Sequence, residues 1–174
     1  MYIRKKILFL LPLIFSLSVL SSDIEEIIVK GEYREKSLGE EDSSIVIIQS
    51  EQIKSQAIKH FQQLSHLVPN LNYAASDSRA RYFQIRGIGE RSGYQGTPNS
   101  SVGFLIDDID YSGQGGIATL FDVDQVEVFR GPQGSRSGAN ALAGLIYIKT
   151  KDPTEKFEGT TELTLGDYGT QNIG

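Results

Sequence analysis

Apolar positions along the chain fall into short runs parted by glycine-rich or charged stretches. Ser44 to Gln49 (SIVIIQ) is an almost wholly apolar run of strand length, with the β-branched residues that suit a pleated surface. The period then changes. Ile53, Ala57, Ile58, Phe61, Leu64, Leu67 and Val68 recur at helical spacing, form one apolar stripe and stop at Pro69. Ser50 is placed to cap this stripe, and a break near Lys59 divides it into two short helices. Tyr82 to Gly89 reads as a strand ending at glycines, and Val102 to Ile106 as another. The fullest pattern lies between Phe121 and Lys151. Val126, Val128 and Phe129 belong to one strand, and Leu145, Ile146, Tyr147 and Ile148 to the next. Gly131, Pro132, Gly134, Gly138 and Gly144 lie between or beside them, so the connection can turn sharply and pass close to a neighbouring surface. From Phe157 to Gly166 the pattern alternates, Thr160 and Glu162 against Thr161 and Leu163; a turn follows at Gly166-Asp167-Tyr168-Gly169, and Thr170 to Gly174 begins a further strand. Short helices among several strands predict an α+β fold.

The N-terminus stands apart from this pattern. Arg4, Lys5 and Lys6 precede an apolar run from Ile7 to Leu20, broken by Pro12 and followed by Ser21 and Ser22. That is the layout of a secretory signal peptide, residues 1–21, and the run falls short of the ~20 residues that a spanning helix needs. Next come Asp23 to Gly31, a short β-prone segment, and then Glu32 to Ser44, mostly charged or polar, which reads as a mobile linker.

Composition narrows the chemistry. The 174 residues include 18 glycines and neither cysteine nor tryptophan, with a formal charge of −5. Lacking cysteine, the chain has no disulfide, thiolate metal site or cysteine nucleophile. Without the three basic residues of the leader, 14 basic side chains face 22 acidic ones, a net −8. That balance argues against nucleic acid, which selects basic surfaces.

Several motifs resemble chemical sites and fail on inspection. No lysine follows Gly138 as a phosphate loop requires, and Arg136 occupies the place of the serine in a nucleophile elbow at Gly134 to Gly138. Gly87-Ile88-Gly89 lacks the third glycine of a dinucleotide fingerprint, since Ser92 stands there and no helical period follows. Asp107, Asp108 and Asp110 are not continued by the central glycine and closing glutamate of a calcium loop. His60 and His66 are six positions apart and do not share a helical face. No catalytic, metal-ligating or cofactor-binding set emerges, so the chain is not expected to be an enzyme.

Three strings carry a resemblance to a known family. Val126-Glu127-Val128-Phe129-Arg130-Gly131-Pro132, then Gly138-Ala139-Asn140-Ala141, then Gly144-Leu145-Ile146-Tyr147-Ile148-Lys149-Thr150 resemble the plug domain of TonB-dependent outer-membrane receptors. Ile85-Arg86-Gly87-Ile88, and Leu64 to Leu71 followed by Asn72 and Tyr73, match the same family. The chain departs from it at Ser135-Arg136-Ser137, where an apolar residue and a tyrosine are usual, and at Asp108, which replaces the glycine of an Asp-Gly turn.

The resemblance implies four parts: a signal peptide at 1–21, a TonB box and flexible linker at 22–43, a plug with a small mixed β-sheet and short helices at 44–152, and at 153–174 the first hairpin of an otherwise missing twenty-two-stranded transmembrane barrel. Closing such a barrel takes roughly two hundred further residues at ~10 per strand, so the chain reads as the N-terminal part of a receptor. Glu26, Ile27, Ile28, Val29, Lys30 and Gly31 resemble the TonB box, the segment lent as a strand to a TonB-type periplasmic energy-coupling protein. Arg86 and Arg130 match arginines that pair with barrel carboxylates and latch the plug. Arg91, Tyr94 and Gln95 lie in the loop from Glu90 to Ser101 that in this family faces the ligand. The implied function is active uptake of a scarce nutrient, a ferric siderophore above all, in the cell outer membrane, with the plug gating the barrel. A soluble periplasmic α/β binding module without a barrel is the alternative.

Overall fold

The computed structural model describes residues 26–32, 34–75, 79–93, 99–114, 119–138 and 140–173. The leader expected at 1–21 lies outside them. In chain order the strands are β1 (Ile28–Val29), β2 (Lys36–Ser37), β3 (Ile45–Gln49), β4 (Leu71–Ala75), β5 (Ala80–Ile85), β6 (Val102–Ile106), β7 (Ile109–Asp110), β8 (Val123–Phe129), β9 (Gly144–Thr150), β10 (Leu163–Gly166) and β11 (Thr170–Ile173). The helices are α1 (Ser50–Ser55) and α2 (Gly134–Ser137), and 3-10 turns lie at Leu38–Glu40, Phe61–Leu67 and Asp167–Gly169.

The central sheet runs β3-β8-β9-β6-β7. It is mixed: β6 and β9 pair in parallel, while β3-β8, β8-β9 and β6-β7 are antiparallel. Strands β8 and β9 are buried over nearly their whole length because both faces are covered; β9 reads accordingly as an apolar run, while β8 carries Asp124, Gln125 and Glu127 among its apolar residues. Val126 and Val128 point to one face, where they meet Ile48, Ile146 and Ile148. The helical stripe closes this main core: Ile53, Ile58, Phe61, Leu64 and Val68 are buried. Phe61 packs edge-on against Phe83 and Phe104 at 5.1 and 5.2 Å, and those two rings stack at 5.6 Å. The opposite face carries Phe129, Leu105, Leu145 and Tyr147, and the residue that covers them is Val29 from the N-terminal segment.

The structure changes several local expectations. Ser50 is the first residue of α1 rather than its cap, and its hydroxyl donates to Glu51. Helix α1 ends before Ala57, which takes φ 50° and is exposed, so it leaves the apolar stripe. The break near Lys59 is present, and the second half of the stripe is a 3-10 helix. Leu71 to Ala75, unassigned by periodicity, is β4 and pairs with β5. The stretch read as a mobile linker instead holds β2 and a 3-10 turn, and β2 pairs with β1 at Ile28 with Ser37 and Val29 with Lys36. The segment 28–31 is therefore packed on the domain rather than hanging free.

The turn that has Asp108 where a glycine was expected is a tight, left-handed one. Asp107 and Asp108 have φ of 45° and 71° between the paired residues Ile106 and Ile109, as a two-residue hairpin loop requires. At the C-terminal end β10 and β11 form the expected hairpin, with Leu163, Leu165 and Ile173 exposed.

Candidate functional site

Glu127 lies in the middle of β8 between Val126 and Val128, and alternation turns it to the face that Val29 covers. Its side chain is fully buried. Burying a carboxylate is unfavourable unless donors surround it, and here the donors come from the N-terminal segment. The backbone N–H of Lys30 donates to Oε1 at 2.6 Å and that of Gly31 to Oε2 at 2.8 Å. Gln125, two residues earlier on the same face, donates from Nε2 to the Ile28 carbonyl at 3.0 Å and also to Glu127 Oε1. Charge-assisted bonds of this kind are about twice as strong as neutral ones.

The remaining contacts of the segment fit this anchor. Val29 is fully buried among Leu105, Phe129, Leu145 and Tyr147. The other edge of the segment is held by Leu38, whose N–H donates to the Ile27 carbonyl at 2.9 Å. Lys30 Nζ pairs with Asp124 at 2.7 Å near the surface, a contact of small energetic weight. Gly31 is dictated by space: a Cβ there would stand 2.6 Å from Glu127 Oε2 and 2.6 Å from the Phe129 ring. A shallow polar cleft of about 280 Å³ opens beside this contact, lined by Lys30, Glu32, Glu35, Asp107, Asp108, Tyr147 and Lys149.

Asp107 closes one side of that cleft. It accepts from the Thr150 N–H at 3.0 Å, from the Thr150 hydroxyl and from Lys149 Nζ at 3.4 Å. Burial pushes its carboxyl up, but the Thr150 donors and the Lys149 charge outweigh this and hold it below its ordinary value. Lys149 is raised, chiefly by its bond to Asp152.

The two arginines singled out in the sequence are set differently. Arg130 follows β8; its N–H donates to the Ser44 carbonyl at 2.7 Å and its Nη2 to Ser44 Oγ at 2.8 Å. Its Nε is buried with no hydrogen-bond partner among the described residues. Arg86 ends β5 with φ 54°, donates its N–H to the Asn70 carbonyl at 3.0 Å and is exposed.

Of the loop residues, Arg91 is exposed, while Tyr94 and Gln95 lie outside the described residues. The base of the loop is well fixed. Glu90 accepts from the Ser101 N–H at 3.0 Å and from its hydroxyl at 2.6 Å, and Gln84 donates to the Glu90 carbonyl. Asn140 joins the neighbouring strands, accepting from the Ser100 N–H at 3.0 Å and donating to Asp110 at 2.8 Å.

Sequence reasoning did not single out Gln125, Glu127 or Glu90. The signal for Glu127 was an acid enclosed by Val126, Val128 and Phe129 in a strand, which calls for a buried donor set.

Comparison with known proteins is consistent over most of the chain. Residues 37–145 match the TonB-dependent Receptor Plug Domain family. The pesticin receptor of Yersinia pestis is 26% identical over 155 residues, covering 88% of this chain and 23% of that protein. The ferripyoverdine receptor of Pseudomonas aeruginosa is 24% identical over 126 residues, covering 72% of this chain and 15% of that protein. Among solved structures, the ferripyoverdine receptor of the Pseudomonas aeruginosa outer membrane bound to ferripyoverdine superposes with a TM-score of 0.68 at 19% identity, over 84% of this chain and 19% of that one. The ferric yersiniabactin uptake receptor of Yersinia pestis gives 0.55 at 26% identity, over 66% of this chain and 18% of that one. The chain thus spans less than a quarter of the length of these relatives.

Proposed function

The chain belongs to the TonB-dependent receptor plug domain family, and from that membership we propose that it is the N-terminal part of an outer-membrane receptor for active nutrient uptake. The nutrient favoured is a ferric siderophore, in keeping with relatives whose names specify ferripyoverdine and ferric yersiniabactin. In this reading residues 1–21 direct export, 22–43 hold the box and its connection, 44–152 form the plug, and β10-β11 within 153–174 open the barrel wall. The exposed Leu163, Leu165 and Ile173 on that hairpin support the last assignment, because a barrel strand presents apolar side chains to lipid.

The observation that carries the reading is the order of parts: a β-strand segment, Glu26–Gly31, directly ahead of a domain that matches the plug family. As the box, that segment is lent to a TonB-type periplasmic partner through main-chain hydrogen bonds. Ligand held by the plug loop that includes Arg91, Tyr94 and Gln95, together with barrel loops, favours the form in which the segment is free. That shift requires tighter ligand binding to the free form than to the docked one. Arg86 and Arg130 latch the plug to carboxylates of the barrel wall. The unsatisfied Nε of Arg130 supports a further acceptor for that side chain.

The test is uptake. Cells that depend on the intact receptor for iron are supplied with a panel of ferric siderophores, with and without the energy-coupling partner. Growth on one of them only when the partner is present is expected. Growth on none, or growth independent of the partner, overturns the reading.

A further inference from the structure

Both edges of the segment Ile27–Gly31 are occupied. On one side the Ile27 carbonyl is taken by Leu38, within the pairing of β1 with β2. On the other, the Ile28 carbonyl and the N–H groups of Lys30 and Gly31 are taken by two side chains, Gln125 and Glu127. An amide N–H and a carboxylate set side by side on β8 thus offer the donor and acceptors that a neighbouring strand would otherwise offer from its main chain.

We propose that Gln125 and Glu127 are a strand-holding clip that competes with the periplasmic partner for the same main-chain groups of residues 28–31. The proposal rests on the box reading given above. It adds the residues that do the holding and the features of the segment that they select. Main-chain contacts are blind to side chains, so selection comes from the two positions that the fold encloses. At Val29 the enclosed space is apolar and fully occupied. At Gly31 any Cβ collides with the carboxylate and with Phe129, so glycine alone lets both N–H groups reach Glu127. Ile28 and Lys30, between and beside them, are partly exposed and free to vary. The clip therefore reads Val-x-Gly.

The clip also favours the docked state by its own burial. With the segment gone, the Glu127 carboxylate loses two backbone donors that water must replace. The ion pair of Lys30 with Asp124 lies at the surface and contributes little beside this.

The experiment uses the intact receptor. These 174 residues hold no cysteine, so in a receptor cleared of any cysteine outside them Glu26→Cys gives one site for a nitroxide label just ahead of the clip, and electron paramagnetic resonance reads its mobility. The label is immobilised in the parent. Glu127→Gln keeps the shape of the side chain but turns an amide toward one of the two donors. Gly31→Ala changes no residue of the sheet itself. Each raises the mobile fraction at least about tenfold, the effect expected from losing one charge-assisted bond. Asp124→Asn leaves it within about twofold. A label already mobile in the parent, or equally immobile in both variants, overturns the clip.

Titration with the soluble domain of the energy-coupling partner forms the second arm. Glu127→Gln binds it about tenfold more tightly than the parent; equal affinity with a freed label overturns the competition. Release of the label without partner binding in either form overturns the box reading and leaves the clip in place.

Discussion

Asp107, at the head of the tight turn between β6 and β7, accepts both the N–H and the hydroxyl of Thr150, the last residue of β9. One carboxylate thereby ties the hairpin to the end of its parallel neighbour. The folded pKa lies below the ordinary 3.8. Its contribution to stability is therefore fully present above about pH 4 and is lost as pH falls through the folded value. Asp107→Asn keeps a residue that tolerates the left-handed turn but removes the charge. We expect it to cost about 1 kcal/mol at pH 7. Chemical denaturation at pH 7 and pH 3 checks this, the difference from the parent shrinking at the lower pH.

Gly144 begins β9 where it crosses close to the end of β8. A Cβ there would stand 2.3 Å from the Phe129 carbonyl oxygen and 2.7 Å from Ile85 Cδ1. The carbonyl is held in the sheet and cannot yield. Gly144→Ala is expected to destabilise the domain by about 2–3 kcal/mol, through displacement of β9. A lowered denaturation midpoint with an unchanged slope is the expected result.

Glu90→Ala removes the acceptor for both Ser101 donors at the base of the loop. The Ser101 N–H is left without its partner, at a cost of about 1–3 kcal/mol. Amide hydrogen exchange at Ser101 should quicken, while exchange in β8 and β9 stays slow.

Ile28→Pro removes a backbone donor from the segment proposed as the box. In the intact receptor we expect transport to stop and ligand binding to persist. Uptake assays beside equilibrium binding with the same ferric siderophore separate the two, and surviving transport counts against the box.

The sheet was legible where both faces are covered. Residues 45–49, 102–106 and 144–148 are apolar enough that period and length leave little choice of element, while in 123–129 only Val126, Val128 and Phe129 marked the strand, with Asp124, Gln125 and Glu127 among them. The aromatic trio could be inferred only in part, since Phe61 lay on a clear stripe while Phe83 and Phe104 meet it through tertiary packing. Strand β4 escaped because Asn72 and Tyr73 are exposed and only Leu71 is buried. The docking of the N-terminal segment escaped for a different reason. Its partners lie more than ninety positions away, and local composition around 32–44 says polar and mobile whatever distant carboxylate waits for it. The turn at Asp108 shows the reverse, since an aspartate proved able to hold the left-handed geometry expected of glycine.

Strand β3 lies at the margin of the sheet and is bonded on one side only, to β8. It is also the first strand of that sheet met on entering from the amino end. Tension applied there reaches the Ser44 carbonyl, held by the Arg130 N–H, and then Ile45 before the rest of the sheet, and an antiparallel border strand peeled from its end parts rung by rung rather than all at once. The layers around Phe61 and Ile146 stand behind that seam, so a pull could open the border while the centre holds.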